Sequence, residues 1–521
     1  MNKIQFGRIR FLWGWRLFVN RGAGVCLLLA LFSASAAQVQ TGRASLADID
    51  WNKTIRVSKS TPTLQVVTNP MLNRGSPIHD GAFSALKALG ADYVRYVPWL
   101  PYPKIAVAEL EPPRPERTSW DFTYIDPVTK DFLDATEGHS TIINFSTIPA
   151  WMFKTDQPVK YPDDPNQVFW NYTQGTELRD PTGKELGDYF GRLVSWYTKG
   201  GFSDENGTQH TSGYHYTFPY WEVLNEVEAE HSTTPEQYAQ RYDAIVEGIR
   251  KVSPQTKFMG LALAKAGGNP KYYEYFLNSK NHKPNIPIDY ISFHFYASPA
   301  RDEGLDDWQH SFFDQAEGFL STTRFILAIR DRLAPNVKID TNELGVILPS
   351  DGEEIRAAKA LPDKIPHRYW NAAATLYAFL FAELAKEGVD VIGESQLVGY
   401  PSQFPSVSMI NYNTGKPNAR YWVLKLLKDN FHPGDKMVET KENMFDRHDL
   451  KIQGFITPQG RRVLLVNKTN REATVELPSE WQHATSSTVD EDTGDEQPRT
   501  ANVNGSELKL APFAVAVLKA E

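Results

Sequence analysis

Two glutamates, far apart in the chain, stand at the ends of runs rich in β-branched and aromatic residues. Glu226 closes Tyr220-Trp221-Glu222-Val223-Leu224-Asn225-Glu226, and Glu343 closes Lys338-Ile339-Asp340-Thr341-Asn342-Glu343. One glutamate after a strand is ordinarily a solvated loop residue. Two at apolar strand ends form a candidate pair for proton transfer and nucleophilic attack. Hydrolysis of a glycosidic bond needs such a pair, one carboxyl protonated at rest and one ionised. A separation of ~5–5.5 Å implies a covalent intermediate, whereas ~6.5–9.5 Å leaves room for a water.

Other residues could serve that pair. Arg95, in Asp92-Tyr93-Val94-Arg95-Tyr96, can hydrogen-bond an ionised Glu343 and hold its pKa low. It can equally pair with Glu222, which lies deeper on the Glu226 strand and reads as structural support. Alternation in Ser292-Phe293-His294-Phe295-Tyr296 points His294 and Tyr296 the same way, towards substrate hydroxyls or Glu343. Asn225, Trp99, Trp151 and Gln396 also fall at strand ends, the tryptophans as surfaces on which sugar C–H faces could stack. No His/Asp/Glu spacing has metal-ligand character, and no glycine-rich phosphate loop, Gly-x-Ser-x-Gly or Cys–His pair is present. The chain is therefore expected to use neither a metal nor a cofactor.

Positioning these groups requires strands whose ends converge. Strand candidates are Leu64–Thr68, Asp92–Pro98, Thr141–Thr147, Tyr220–Asn225, Lys257–Ala262, Asp289–Tyr296, Lys338–Glu343 and Val389–Leu397. Helix-period segments follow each: Phe83–Leu89, Pro127–Ala135, Gly187–Thr198, Thr234–Val252, Tyr272–Leu277, Phe312–Leu333, Tyr369–Lys386 and Ala419–Lys428. Eight such units predict an α/β fold, a (β/α)8 TIM barrel over residues 61–430. The rival, an open doubly wound sheet, usually carries a glycine-rich turn after its first strand, and none follows Leu64–Thr68. In a barrel the reactive groups sit at the carboxyl ends of the strands, and strands four and seven face each other across the mouth.

After Lys428 the texture changes to short alternating runs, Lys451–Ile456, Arg462–Asn467, Ala473–Leu477, Glu507–Leu510 and Phe513–Leu518. They predict a small C-terminal antiparallel β-sandwich over 431–521, with Ser486–Thr500 as a polar, acidic loop. The segment 37–60 could lend it an edge strand through Trp51–Ser58. Residues 1–36 carry five cations, no acid, the apolar run Val25–Phe32 and then Ala34-Ser35-Ala36, the pattern of a signal peptide. That run is too short to span a bilayer, so a secreted or periplasmic protein with no membrane segment after cleavage is expected. Cleavage removes Cys26, the single cysteine, and leaves stability to the core rather than to disulfides. Losing five cations and no acid takes the formal net charge from −8 to −13. Such a balance argues against nucleic acid as a partner and against a polyanionic polymer as substrate. Oligomeric state stays open.

Asn-Glu ending strand four, His-x-Tyr on strand six and Glu-Leu-Gly ending strand seven together resemble the glycoside hydrolase clan A barrels. Asn411-Tyr412-Asn413-Thr414-Gly415-Lys416-Pro417 before the last helix, followed by a small β-domain, is most similar to family 39, which includes β-xylosidases and α-L-iduronidases. The resemblance implies a retaining hydrolase of oligo- or polysaccharides, with Glu226 as acid/base and Glu343 as nucleophile. It further implies Asn225 as a ligand of the sugar 2-hydroxyl and Arg95, His294 and Tyr296 as a ring around the nucleophile. Val227 stands where the family has proline after Asn-Glu, Asn342 where threonine is common, and Glu394-Ser395-Gln396 where a tryptophan platform is frequent. The alternatives are a non-catalytic carbohydrate-binding barrel and a hydrolase of another clan A family.

Overall fold

The computed structural model describes residues 44–520 except 171–174, 231, 350, 352–364, 402–403 and 442–448. The expected signal segment, 1–36, lies outside the described residues. Eight parallel strands close into a barrel in chain order: β1 (Thr61–Val67), β2 (Val94–Val97), β3 (Thr141–Ile143), β4 (Tyr220–Glu222), β5 (Lys257–Leu263), β6 (Tyr290–Ala297), β7 (Lys338–Val346) and β8 (Val391–Glu394). Closure is made by β8 against β1, Val391 lying opposite Thr61. An outer ring of helices follows the strands one for one: α1 (His79–Leu89), α2 (Ile125–Ala135), α3 (Lys184–Thr198), α4 (Pro235–Val252), α5 (Lys271–Phe276), α6 (Leu305–Leu333), α7 (His367–Glu387) and α8 (Ala419–Asn430). No helix among the described residues is long and apolar enough to cross a membrane.

Inward-facing side chains fill the barrel in layers. An apolar plug of Ile142, Tyr220, Met259, Tyr290 and Val391 closes the floor, and polar residues lie above it. Register sets the height of each: Gln65 lies beside Arg95, and His294 beside Glu343. Several helix ends follow from local chemistry. Thr234 and Gln237 form a reciprocal capping box with Pro235 in the first turn, starting α4 directly after the Glu226 loop. Gly388, at φ 85°, ends α7 in the left-handed conformation that glycine adopts without penalty. Four strands, β2, β3, β4 and β8, are shorter than the alternation predicts. β4 stops at Glu222 because Leu224 takes φ 64°, and β3 stops at Ile143, beyond which Asn144 and Ser146 still donate backbone hydrogen bonds to the carbonyls of Tyr96 and Pro98.

Beyond α8 the chain forms an antiparallel β-sandwich. Seven strands run in the order Arg499–Asn502, Thr485–Val489, Val515–Lys519, Gly460–Asn467, Leu450–Thr457, Lys436–Thr440 and Ile49–Val57. The last of these, from before the barrel, pairs antiparallel with Lys436–Thr440 at the sheet edge. Ala44–Ser45, Ala473–Glu476 and Glu507–Leu510 make a three-stranded second sheet. Strand periodicity divides the apolar residues of the central strand. Val463 and Leu465 join the core inside the sandwich with Trp481 and Leu518, while Leu464 and Val466 join the barrel-side core with Phe455 and Phe431. The stretch read as a loop, Ser486–Thr500, instead contains most of one strand and the start of another, paired between Thr485–Thr488 and Arg499–Asn502. Its serines and threonines suit an edge ribbon whose outer strand is exposed along its whole length, so polarity concealed the strand.

Candidate active site

At the carboxyl ends of the strands Arg95 organises a buried cluster. Its Nε donates to Glu222 at 2.5 Å, Nη1 to Gln65 Oε1 at 2.6 Å and Glu343 Oε1 at 2.5 Å, and Nη2 to Asn225 Oδ1 at 2.6 Å. Glu222 also accepts from Asn144 and Asn342, both at 2.7 Å, and from the Ser292 hydroxyl. With four donors on two oxygens and no exposure it is a structural anion, and Arg95 serves Glu222 and Glu343 at once.

Glu343 is held from its other side. The Tyr296 hydroxyl donates to Glu343 Oε2 at 2.7 Å. Ser395 Oγ lies 2.6 Å from that hydroxyl and accepts from Gln65 Nε2 at 2.7 Å. Because the tyrosine proton goes to the carboxylate, Ser395 donates to Tyr296. The hydrogen bonds then close a ring from Arg95 through Gln65, Ser395 and Tyr296 to Glu343. Burial by itself would raise the Glu343 pKa, but His294, Arg95 and the Tyr296 hydrogen bond overcome it and hold the carboxyl below its ordinary value. Burial likewise opposes charge on His294, yet Glu343 and Glu226 raise its pKa and favour the imidazolium.

Glu226 completes the pair. His294 Nδ1 lies 3.0 Å from Glu226 Oε1 and 3.4 Å from Glu343 Oε2. One atom from each of Glu226, His294 and Glu343 falls within 4.8 Å of the others, which brings carboxylate oxygens of the two glutamates to that range. Glu226 is the more exposed, its side chain 23% accessible against 9% for Glu343. Its backbone sits at φ 41°, and Leu224, Leu261 and Ala262 are also left-handed. Each such residue costs on the order of 1–3 kcal/mol, and such strain gathers at functional sites. The three atoms are close enough to share one metal ion.

A cavity of about 440 Å³ opens above these groups. Glu226, Glu343, Asn225, Tyr296, Trp99 and Gln396 line it, so most of the sequence-derived candidates meet in one place. Arg95 and His294 stand behind them, buried. Trp151 does not line the cavity. Its indole donates instead to the Glu109 carbonyl at 2.8 Å, with the Arg179 guanidinium over its ring at 4.3 Å. Trp151 thus lies outside this cavity and braces the loop after β3. Trp170, Phe404, Gln65 and Glu230 line the cavity without having been singled out. Of these, Glu230 accepts from Trp99 Nε1 at 2.6 Å and from Asn225 Nδ2 at 2.8 Å. Glu394, at the end of β8, pairs with Arg420 at 2.9 Å and lies outside the cavity.

The architecture, a closed TIM barrel carrying a C-terminal β-sandwich, is that of several solved glycoside hydrolases. The GH51 arabinofuranosidase from Xanthomonas axonopodis pv. citri matches with a TM-score of 0.59 at 14% identity, over 90% of this chain and 98% of that one. A glucosidase from Croceicoccus marinus matches at 0.56 and 13%, over 90% and 97%. A GH30 endoxylanase from Clostridium papyrosolvens C71 matches at 0.53 and 11%, over 90% and 98%. At these identities the likeness is one of fold. Residues 449–518 match the family model of the D-apionate lactonase C-terminal immunoglobulin-like domain, in agreement with the observed sandwich. No curated protein sequence matches the chain.

Proposed function

We propose that the chain is an exported, retaining glycoside hydrolase acting on oligo- or polysaccharides. The observation that carries this reading is the approach of the Glu226 and Glu343 carboxylate oxygens to within 4.8 Å of each other at the barrel mouth. Such a gap fits the ~5–5.5 Å of a nucleophile and its partner acid, and is too narrow for the water an inverting enzyme interposes. The environments differ in the way the chemistry needs. Arg95, Tyr296 and His294 keep Glu343 ionised, while Glu226 faces the cavity with greater exposure.

In the first step a Glu343 oxygen attacks the anomeric carbon as the bond to the leaving oxygen breaks, and Glu226 gives its proton to that oxygen. In the second, Glu226 takes a proton from water, whose oxygen attacks the same carbon and releases Glu343. Asn225, Trp99 and Gln396 line the sugar site. Arg95, His294 and Tyr296 are positioning residues, since they act through the two carboxyls. The sequence resemblance narrows this to a family 39-like enzyme, and the structural neighbours, an arabinofuranosidase, a glucosidase and an endoxylanase, support the broader class.

The test is a panel of aryl glycosides and polysaccharides. Glu343→Ala should abolish turnover, on the order of 10³-fold or more. Azide should restore part of it and yield a glycosyl azide of anomeric configuration opposite to the substrate. Full activity in Glu343→Ala, or a first product of inverted configuration from the unmodified enzyme, would remove the mechanism. The family model over the C-terminal domain is named for a lactone hydrolase, so an aldonolactone belongs in the panel. Hydrolysis of it alone would redirect the assignment.

A further inference from the structure

Gln65, on β1, and Ser395, just past β8, make no hydrogen bond to either reacting carboxyl, yet they decide which way a neighbouring proton points. A guanidinium has donors and no acceptor. Arg95 therefore fixes the Gln65 amide, whose Oε1 must face Nη1, 2.6 Å away. The other end of that amide is then a donor, and Nε2 gives its hydrogen to Ser395 Oγ at 2.7 Å. Ser395 has the Tyr296 hydroxyl at 2.6 Å as its remaining partner among the described residues, so the serine proton goes to the tyrosine oxygen. Tyr296 is left with Glu343 Oε2, at 2.7 Å, as the acceptor for its own proton. Gln65 and Ser395 are 1% and 0% exposed, which keeps bulk water from offering other partners.

An ionised Glu343 suits this one-way chain, since it accepts from Arg95 at one oxygen and from Tyr296 at the other. A protonated Glu343 finds no acceptor along it. To take that proton, Tyr296 would have to turn its own towards Ser395, and Ser395 would have to turn its proton towards Gln65. The turning stops there, because Gln65 presents an N–H that Arg95 holds in place. Other charged groups around Glu343 belong to different elements. His294 on β6 lies 3.4 Å from Oε2, Glu226 shares that imidazole at 3.0 Å, and Glu230 of the loop after β4 is near enough to feel the Glu343 charge. Glu222 meets Arg95 from below, and Glu394, the neighbour of Ser395, is paired with Arg420 at 2.9 Å.

We propose that Gln65 and Ser395 are positioning residues that fix the direction of the hydrogen bonds reaching Tyr296 and so keep its proton on Glu343. The inference goes beyond the hydrolase reading, which concerns what the two carboxyls do and not what sets their protonation.

Reversing one end of the chain tests its direction. Protein labelled with carbon-13 at the glutamate side-chain carboxyls gives a resonance that is absent from Glu343→Gln, and its midpoint is followed with pH. Gln65→Glu replaces the amide donor with an acceptor, so Ser395 can turn to it and Tyr296 can turn to Ser395. The Glu343 midpoint should then rise by about one pH unit or more. In the Ser395→Ala background no hydroxyl is present to turn, and the same substitution should raise the midpoint less than half as far. The added charge beside Arg95 is common to both backgrounds, so equal rises would mark a purely electrostatic or structural effect and overturn the proposal. Absence of any rise in Gln65→Glu would overturn it too. If Gln65→Glu fails to fold, Gln65→Leu removes the amide donor without adding charge. It should raise the midpoint when Ser395 is present and raise it less in the Ser395→Ala background, and equal midpoints would again reject the idea. No substrate enters the titration, so failure to hydrolyse any glycoside would sink the hydrolase assignment alone.

Discussion

Tyr296 shows most directly what single side chains do here, because its hydroxyl is one of two donors fixed on Glu343, the other being Arg95. A hydrogen bond to a charged group is worth ~1.5–3 kcal/mol, and about 1.4 kcal/mol corresponds to one pH unit. The Glu343 pKa is depressed, so its ionised form persists as pH falls below the ordinary carboxylate value of 4.5 and is lost only on crossing the depressed one. The acid limb of kcat/KM against pH should therefore lie below 4.5. Tyr296→Phe should move it upward by about one unit or more and lower the plateau. An acid limb that stays in place in Tyr296→Phe would show that the hydroxyl does not hold the nucleophile. Strand alternation made Arg95, His294 and Tyr296 legible, since each lies within a barrel strand whose register fixes its height and face. Asn225, Glu226 and Trp99 lie a few residues past strand ends, where direction still follows from the barrel. Trp151 and Glu230 belong to longer loops. There the side-chain direction depends on partners such as the Glu109 carbonyl and the Trp99 indole, and no local periodicity encodes them.

Among elements, the contact between α3 and α4 places the Glu226 loop most tightly, since α4 begins where that loop ends. The two helices meet through glycine. A Cβ on Gly248 would lie 1.9 Å from the Gly187 carbonyl oxygen, and one on Gly187 would lie 2.4 Å from that of Ala244. Neither contact is with a flexible side chain, so a methyl group there must separate the backbones. Gly248→Ala should destabilise the protein by ~1–3 kcal/mol, the usual cost of overpacking, read as a lower denaturation midpoint. Because the displaced helix carries the Glu226 loop, kcat should fall as well. A midpoint equal to the parent's would show that the helices can part freely. Helix and strand periods in the sequence were enough to locate all eight units, yet they gave no hint of this contact. Only the pairing of the two helices reveals why a side chain is excluded at Gly187 and Gly248. The ribbon from Thr485 to Asn502 was missed for the converse reason. Its stability comes from pairing with Val515–Lys519, not from alternation of its own.

At the scale of the whole molecule, the β-sandwich is bound to the barrel by a continuous apolar core. Phe455, Leu464, Val466, Val515 and Val517 from the large sheet pack in the same cluster as residues of α7 and α8, and the Phe431 and Phe455 rings lie 4.3 Å apart. Polar groups reinforce the seam. Arg462 donates to the Asn430 carbonyl at 2.9 Å, Thr375 to the Phe513 carbonyl at 2.7 Å, and Lys451 pairs with Glu383 at 2.6 Å. The strand Ile49–Val57 adds a covalent constraint, since the chain leaves the sandwich, enters the barrel at Thr61 and returns to the sandwich after α8. Neither part then presents a polar, self-sufficient face to the other, unlike the modest, more polar contacts between independently mobile domains. Barrel and sandwich should unfold together. Loss of the barrel's tryptophan fluorescence, loss of far-ultraviolet ellipticity and loss of activity should coincide along a denaturant titration. Phe455→Ala, which truncates a fully buried ring on the sandwich side, should cost ~3–5 kcal/mol and move all three transitions by the same amount. If the substitution moved only the ellipticity of the sandwich and left the activity midpoint where it was, the two parts would be separately stable. The sandwich would then be an appendage of the barrel and not one of its walls.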